Sequence, residues 1–189
     1  MQKMLNALAT TLLGDHTLYA YAIIDAAKIE ELTTEMLIYE PENRILFEGK
    51  DAVELEEVAP YLLLLEKDTD FTNWVLKEVY GNDAAIFLQS SYDIETLSNH
   101  FKQFIKVTRE VTDPESKKQM IQEGYLAYYD PRVLPEWLES VEPVLMQKFL
   151  SMTSILFYED IDHKYLVHNY RVEEEKLEHA TYDFKEVLA

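Results

Sequence analysis

The sequence predicts an α/β protein, with a mixed, mostly parallel sheet flanked by helices, a β-hairpin, and then a smaller, mainly helical C-terminal lobe. Short apolar runs typical of buried strands alternate with segments whose apolar residues recur at helical spacing, and this alternation favours an α/β sheet. Only 4 of the 189 residues are Gly, which argues against an all-β protein with many tight turns. Apolar residues make up 48% of the chain, enough for a sizeable core.

The first half of the chain supplies most of the predicted alternation. Residues 18–24, LYAYAII, form a short apolar run closed by Asp25, which indicates a buried strand. Residues 26–38 follow with apolar side chains at helical spacing. The next predicted elements are a strand at 45–47, a strand or a helix at 58–65, and a helix through Trp74 and Val79. They are followed by a strand at 84–88 and a helix at 94–104. Ser90, Ser91 or Asp93 is expected to cap this last helix.

A hairpin and a corner are predicted next. Residues 105–111 and 119–129 form two strands around a turn, and they should add antiparallel strands to the sheet. In the following stretch, YYDPRVLPEW, Pro131 ends the second strand and Asp130 is placed to cap a helix. We predict an α/β lobe at residues 1–130 and a mainly helical lobe at 131–189, together one compact unit.

The second lobe is predicted from four segments. Two short helices cover residues 131–141 and 144–152, and residues 153–158 and 165–170 could pair as strands. A final helix is predicted at residues 173–188, where the apolar side chains form a stripe against an acidic face. The stripe consists of Leu177, Ala180, Phe184 and Leu188.

Charge and composition exclude several classes of partner. The net charge is −19, from 17 basic and 36 acidic residues, and a field of this sign repels nucleic acid and anionic membranes. There is no cysteine, so the chain has neither a disulfide framework nor a thiolate site. No apolar run is long enough to span a bilayer and the N-terminus does not resemble a secretory signal, so we expect a cytoplasmic protein.

Few residues suggest catalysis or metal binding. The sequence contains no P-loop, G-x-G-x-x-G, G-x-S-x-G or H-E-x-x-H pattern, and we predict no catalytic, cofactor-binding or metal-binding residues. His163 and His168, close to Asp160 and Asp162, do not have a spacing that forces a shared metal. The alternative is a small α/β hydrolase or nucleotide-binding enzyme, with its site at the C-terminal strand ends near Asp25 and Ser90.

Asp25 and the corner YYDPRVLPEW each allow two interpretations. Asp25 either belongs to that site or simply caps the following helix, which is the commoner use of Asp at such a position. The candidate residues of the corner either hold the junction between the lobes or present a recognition surface to a partner. They are Tyr128, Tyr129, Asp130, Arg132 and Trp137.

Four segments together resemble a known family. They are LYAYAIIDAA (18–27), ILFEG with VAPYL (45–62), GNDAAIFLQSSYDIETLSNHFKQFIKV (81–107) and YYDPRVLPEWLESVEP (128–143). In this order and spacing they resemble the effector-adaptor domain of bacterial type VI secretion systems, and YYDPRV is the most specific piece. The chain departs from the family pattern at three places. These are Ala127, where the family often has Arg, Ala84-Ala85 in place of Trp-Gly, and Asp25-Ala26-Ala27, which lacks a glycine.

The resemblance implies an interaction protein rather than an enzyme. Members of this family are chaperones that bind a toxic effector in the producing cell and help to load it onto the secretion spike protein. The expected partners are therefore an effector and a spike protein, and no cofactor is expected. Tyr129, Arg132 and Trp137 are the expected anchors for a partner. An immunity-type inhibitor that mimics nucleic acid would fit the charge but none of the four segments.

Overall fold

The computed structural model describes residues 9–15, 17–79, 82–112, 114, 117–161 and 164–183. The strands are β1 (Tyr19–Asp25), β2 (Asn43–Ile45), β3 (Pro60–Leu65), β4 (Ala85–Ser90), β5 (Lys106–Thr112), β6 (Gln119–Tyr125), β7 (Ser154–Ile161), β8 (Lys164–Glu173) and β9 (Lys176–Asp183). The helices are α1 (Leu32–Tyr39), α2 (Gly49–Glu54), α3 (Asp70–Glu78), α4 (Ile94–Ile105), α5 (Leu134–Ser140) and α6 (Pro143–Leu150), with 3-10 turns at Ala26–Lys28 and Glu56–Val58. Residues 9–13 are also helical. Among the residues that the structure describes, no helix is both long and apolar enough to cross a membrane.

The main sheet has seven strands in the order β2-β3-β1-β4-β7-β8-β9. Each of these neighbouring pairs is antiparallel, so the prediction of a mostly parallel sheet is wrong. Strands β3 and β4, which α3 connects, do run parallel to each other, but β1 lies between them. A strand–helix–strand connection makes its two strands parallel without making them neighbours, and the alternation of elements therefore does not determine the direction of adjacent strands.

The central strands are buried on both faces. Five of the seven residues of β1 are buried, as are five of the six in β3 and in β4. Continuous apolar strands of this kind are typical of parallel sheets, whose faces are both covered by helices. Here the central strands of an antiparallel sheet are buried on both faces as well, which is a second reason why the sequence indicated the wrong strand direction.

Two local predictions are confirmed. Helix α4 begins after Asp93, whose carboxylate accepts a hydrogen bond from the backbone N–H of Thr96 at 2.8 Å. The β-hairpin is present as β5 and β6. It does not extend the main sheet as predicted, because its two strands form a separate two-stranded sheet.

The prediction of a helical C-terminal lobe is wrong. Helices α5 and α6 are followed by β7, β8 and β9, and β7 pairs with β4, so the main sheet continues past residue 130. Strand β9 replaces the described part of the helix predicted at residues 173–188, while Phe184 and Leu188 lie outside the described residues. The two-residue turn before β9 has positive φ at Glu174 (48°) and Glu175 (65°). Such turns favour Asn and Gly, and a Glu-Glu turn therefore gave no hairpin signal.

Candidate functional site

The corner between β6 and α5 is built around Asp130, although not as a helix cap. Helix α5 begins at Leu134 rather than at Pro131, and its N-cap residue makes no side-chain cap hydrogen bond. The carboxylate of Asp130 instead accepts a hydrogen bond from the backbone N–H of Arg132 at 2.9 Å. Its carbonyl oxygen accepts one from the N–H of Leu134 at 3.0 Å. Asp130 therefore stabilises a tight turn ahead of the helix.

The carboxylate of Asp130 lies in an ion cluster. Its side chain is 8% exposed and contacts Lys28 Nζ at 2.7 Å through Oδ2. Arg132 donates from Nε to Oδ1 at 3.0 Å and from Nη2 to Oδ2 at 2.7 Å. Burial alone would raise the pKa of Asp130, but the hydrogen bonds from Arg132 and Lys28 outweigh it and hold that pKa well below its usual range. The carboxylate is therefore ionised at neutral pH.

Lys28 ties this corner to the main sheet. It lies in the 3-10 turn directly after β1, and its Nζ also donates to the carbonyl of Asp83, just before β4, at 2.7 Å. One ammonium group thus joins the corner to the end of β1 and the start of β4. Neither Lys28 nor Asp83 was predicted from the sequence. A lysine after a buried strand in an acidic chain indicates an ion pair, but nothing in the sequence identifies a partner 102 residues away.

The two corner tyrosines are core residues. Tyr128 is fully buried, and its hydroxyl donates to the carbonyl of Phe101 at 3.1 Å. Its ring stacks on Phe101 with 5.8 Å between centroids and meets Phe149 edge-on at 5.1 Å. Tyr129 is 7% exposed, and burial raises its pKa to about 12. Both side chains hold the corner against the helices.

The remaining two candidates reach the surface. Trp137 is partly buried, with its ring centroid 4.7 Å from that of Phe149 and 6.5 Å from that of Phe104, and it is one of the residues that line an open groove of about 540 Å³. The side chain of Arg132 is 64% exposed. The structure thus separates the five candidates into three that support the corner from within and two that a partner could touch.

A cavity of about 330 Å³ lies beside the corner, and we call it the corner cavity. Three aromatic rings of β7 and β8 line it: Phe157 and His168 lie within 11° of parallel, and Phe157 and Tyr170 within 12°. The centroid distances of these two pairs are 4.9 Å and 5.8 Å. The full lining consists of Asp83, Pro131, Arg132, Pro135, Phe157, His168 and Tyr170.

The alternative site at the strand ends is not assembled. The carboxylate of Asp25 accepts a hydrogen bond from the N–H of Ala27 at 3.1 Å and caps the 3-10 turn, and burial raises its pKa. Ser90 is 2% exposed and donates to the carbonyl of Met152 at 2.6 Å. Because β1 and β4 are antiparallel, with Tyr19 opposite Ser90, the two candidates lie at opposite ends of this strand pair.

The histidine cluster is only partly described. Asp162 and His163 lie outside the described residues. His168 Nδ1 lies 3.0 Å from His179 Nε2, which joins β8 to β9. Within the described ranges, no group of three or more His, Cys, Asp or Glu side chains is arranged to hold a metal ion.

Comparisons with known proteins give one match. No curated protein and no solved structure matches the chain. One family model, described as Domain of unknown function (DUF4123), matches residues 20–146, which is more than half of the chain. The matched stretch contains the first four strands of the main sheet, the hairpin and the corner. The chain therefore belongs to the DUF4123 family.

Proposed function

We propose that the protein is a cytoplasmic adaptor, or chaperone, that binds a toxic effector of a type VI secretion system and helps to load it onto the secretion spike protein. It acts through protein–protein contacts and without catalysis. Membership of the DUF4123 family supports this proposal, as does the resemblance of the four segments described above. The structural observation on which the proposal chiefly rests is the exposure of apolar side chains on the hairpin formed by β5 and β6.

The hairpin exposes apolar side chains and has no core of its own. All seven residues of β6 are exposed. Side chains alternate along paired strands, so Val107, Val111 and Met120 share one face, and Ile121 lies on the other. Gly124, opposite Val107, has empty space within 4 Å of where a Cβ would lie. The register places Arg109 and Gln122 on the same side, between these residues. We call Val107, Val111, Met120 and Gly124 the hairpin face. Exposed apolar side chains on a two-stranded sheet that lacks a core are what a docking partner could cover.

The base of the hairpin is fixed to the main body. The carboxylate of Asp51 in α2 contacts Lys106 Nζ at 2.7 Å and accepts a hydrogen bond from the hydroxyl of Tyr125. The ring of Phe47 lies 4.5 Å from that of Tyr125. These contacts join the first residue of β5 and the last of β6 to the same neighbour. A docking element that is already oriented loses less conformational entropy when a partner binds.

The hairpin has no net charge, unlike the rest of the molecule, and this difference indicates the kind of partner. Residues 106–125 contain four basic and four acidic residues, so the net charge of −19 belongs entirely to the remainder of the chain. A second copy would bring another −19 towards the same face, and like charges disfavour that contact. The favoured partner is therefore a different, less acidic protein. The charged residues of the hairpin are Lys106, Arg109, Glu110, Asp113, Glu115, Lys117, Lys118 and Glu123.

Co-purification with the product of a neighbouring effector-like gene tests the proposal. Met120→Glu places a charge on the hairpin face, and Ile121→Glu makes the matched change on the opposite face. We expect the wild type and Ile121→Glu to retain the partner and Met120→Glu to lose it. Binding by both variants would show that the hairpin face is not the docking surface. Absence of co-purification by the wild type, with unchanged effector secretion in a deletion strain, would contradict the adaptor function itself.

A further inference from the structure

We propose that the outward side of α1 binds a basic amphipathic helix of a second partner protein. This inference deepens the proposed function, because an adaptor of that kind holds two proteins, and it depends on that function for the existence of a second partner. The surface consists of Thr34, Leu37 and Ile38, with Tyr39 at its edge, and we call it the α1 face. Helix α1 packs on α3, whereas the base of the hairpin is fixed to α2, so the α1 face and the hairpin face lie on different elements.

Helix α1 has apolar residues on both of its sides. Its inner side contributes Leu32, which is fully buried, and Met36, which packs against the core. On the outer side, Leu37 is 81% exposed and Ile38 is 63% exposed. A surface helix typically has polar residues opposite its buried stripe, and a helix with apolar residues all round is typically buried. The outer side chains of α1 therefore have the character of core residues but are not covered.

The aromatic edge of the α1 face is packed on α3. The ring of Tyr39 lies 5.9 Å, centroid to centroid, from that of the buried Phe71. Phe71 in turn stacks on the partly buried ring of Trp74 at 5.9 Å. This row of rings orients the C-terminal end of α1 before any partner arrives, and an oriented surface loses less conformational entropy on binding.

A helical partner fits this face better than a strand does. The backbone N–H and C=O groups inside a helix bond to one another, so α1 offers no edge for strand addition. The side chains of the face recur at spacings of three and four residues, from Thr34 to Leu37 and Ile38, and such rows form the ridges against which a second helix packs. The partner should therefore contribute an apolar stripe at the same spacing.

Charge around the α1 face indicates a basic partner. Residues 29–43 contain five glutamates and no Lys, Arg or His. On one side of this range, Lys28 contacts Asp130 at 2.7 Å. On the other side, Arg44 contacts Glu95 at 2.7 Å and reaches Glu42 at 3.7 Å. An incoming cation therefore meets carboxylates whose charge is largely unbalanced. The five glutamates are Glu30, Glu31, Glu35, Glu40 and Glu42.

The same charge argues against two other occupants. A second copy of the chain would place five glutamates against five, and an anionic membrane surface would also be repelled. In addition, Leu37 and Ile38 lie in the last turn of α1, at the negative end of the helix dipole, where cations are favoured. An apolar stripe flanked by Lys or Arg complements both the exposed side chains and the field around them.

Binding of designed peptides, followed by fluorescence anisotropy, tests this inference. The probe is a labelled Leu–Lys peptide of about 18 residues, long enough to form a helix, with Leu at spacings of three and four. One control peptide has Glu in place of Lys, and another has the same composition in scrambled order. We expect saturable binding of the patterned Leu–Lys peptide, at least tenfold weaker binding of the scrambled peptide and no binding of the Glu peptide.

Variants of the chain locate the binding surface. Leu37→Ala combined with Ile38→Ala should weaken binding of the patterned peptide about tenfold, because it removes apolar area, keeps every charge and introduces a good helix former. Val53→Ala combined with Val144→Ala is the matched control, since these side chains are also on helices and are 76% and 77% exposed. This control should bind as the wild type does.

A second pair of variants tests the contribution of charge. Glu31→Gln combined with Glu35→Gln should weaken binding about threefold. Glu136→Gln combined with Glu139→Gln removes the same number of charges from α5, and it should leave the affinity unchanged.

Equal binding of the scrambled or Glu peptide would overturn the inference, as would wild-type affinity in the variant that carries both Leu37→Ala and Ile38→Ala. A dimer detected by light scattering, or binding to phosphatidylcholine vesicles, would also overturn it if this variant abolished either one. The α1 face would then belong to a second copy or to a membrane.

Co-purification of the effector, measured in parallel, separates this inference from the proposed function. If the effector is retained but the patterned peptide does not bind at the α1 face, the inference fails and the adaptor function stands. If the peptide binds there as expected and no effector is retained, the α1 face is a docking surface and the adaptor function fails.

Discussion

Replacing Asp130 with Asn should destabilise the protein by about 2 kcal/mol, between the values for exposed and buried ion pairs. The carboxylate accepts four hydrogen bonds, three from Arg132 and one from Lys28. Asn keeps one acceptor oxygen, but its NH₂ group then faces a cation. Breaking a fully buried pair costs about 3–5 kcal/mol. Here Lys28 is 24% and Arg132 64% exposed, and both can turn towards water.

Urea unfolding at pH 7 measures this loss as a lower midpoint at an unchanged slope. Glu95→Gln is the control, because Glu95 also contacts an arginine, Arg44, at 2.7 Å but is 63% exposed, and we expect its midpoint to stay unchanged. The pKa of Asp130 is lowered in the folded protein, so its contribution is complete well above the ordinary Asp pKa of about 3.9 and is lost as the pH falls below it. The midpoints of wild type and Asp130→Asn should therefore converge in acid. A wild-type midpoint for Asp130→Asn at pH 7 would refute the reasoning.

Two further changes test the buried histidine and the β8–β9 turn. His100 is 4% exposed beside the carbonyl of Phe149, and burial lowers its pKa, so the unfolded state takes up the proton first as the pH falls through about 6.5. The wild type should lose about 1 kcal/mol more than His100→Gln between pH 7.5 and 5.5 in urea midpoints measured at each pH, and equal slopes would contradict this. Glu174→Asn combined with Glu175→Gly should stabilise the protein by about 1 kcal/mol, because both positions have positive φ. A lower urea midpoint for this double variant would argue against the two-residue turn.

Local interactions made part of the fold predictable. The capping carboxylate of Asp93 and the apolar spacing of α4 lie within a few residues of each other, and they determine that helix without distant partners. The two strands of the hairpin are also close in sequence, and their turn residues separate them clearly. In each case the information needed to form the element lies inside the element itself.

Strand neighbours were not predictable in this way. The insertion of β1 between β3 and β4 depends on how three separated segments pack. The β8–β9 turn shows the opposite problem, because positive φ at two glutamates requires support from the surrounding sheet and contradicts local preference. Because Glu174 and Glu175 give no turn signal in the sequence, the spacing of Leu177 and Ala180 favoured a helix. The wrong prediction of the final helix followed from this one turn.

The candidate residues of the corner were found because unusual residue types are concentrated there, but sequence does not distinguish burial from exposure. Tyr128 and Tyr129 are adjacent aromatics that would suit a recognition surface equally well, and the structure buries both. Asp130 reaches Lys28, so its role depends on a contact across 102 residues. Only Arg132 and Trp137 remain accessible to a partner.

The corner and the proposed partner surfaces therefore have different tasks. Asp130 uses both of its oxygens to hold Lys28 and Arg132, and this contact places Arg132 and Pro131 at the edge of the corner cavity. A change at Asp130 would alter the cavity by moving its wall, even if no partner atom touches the carboxylate. Loss of binding in Asp130→Asn would consequently not identify a contact. Met120→Glu on the hairpin leaves the donors to Asp130 in place, and it is therefore the variant that separates recognition from support.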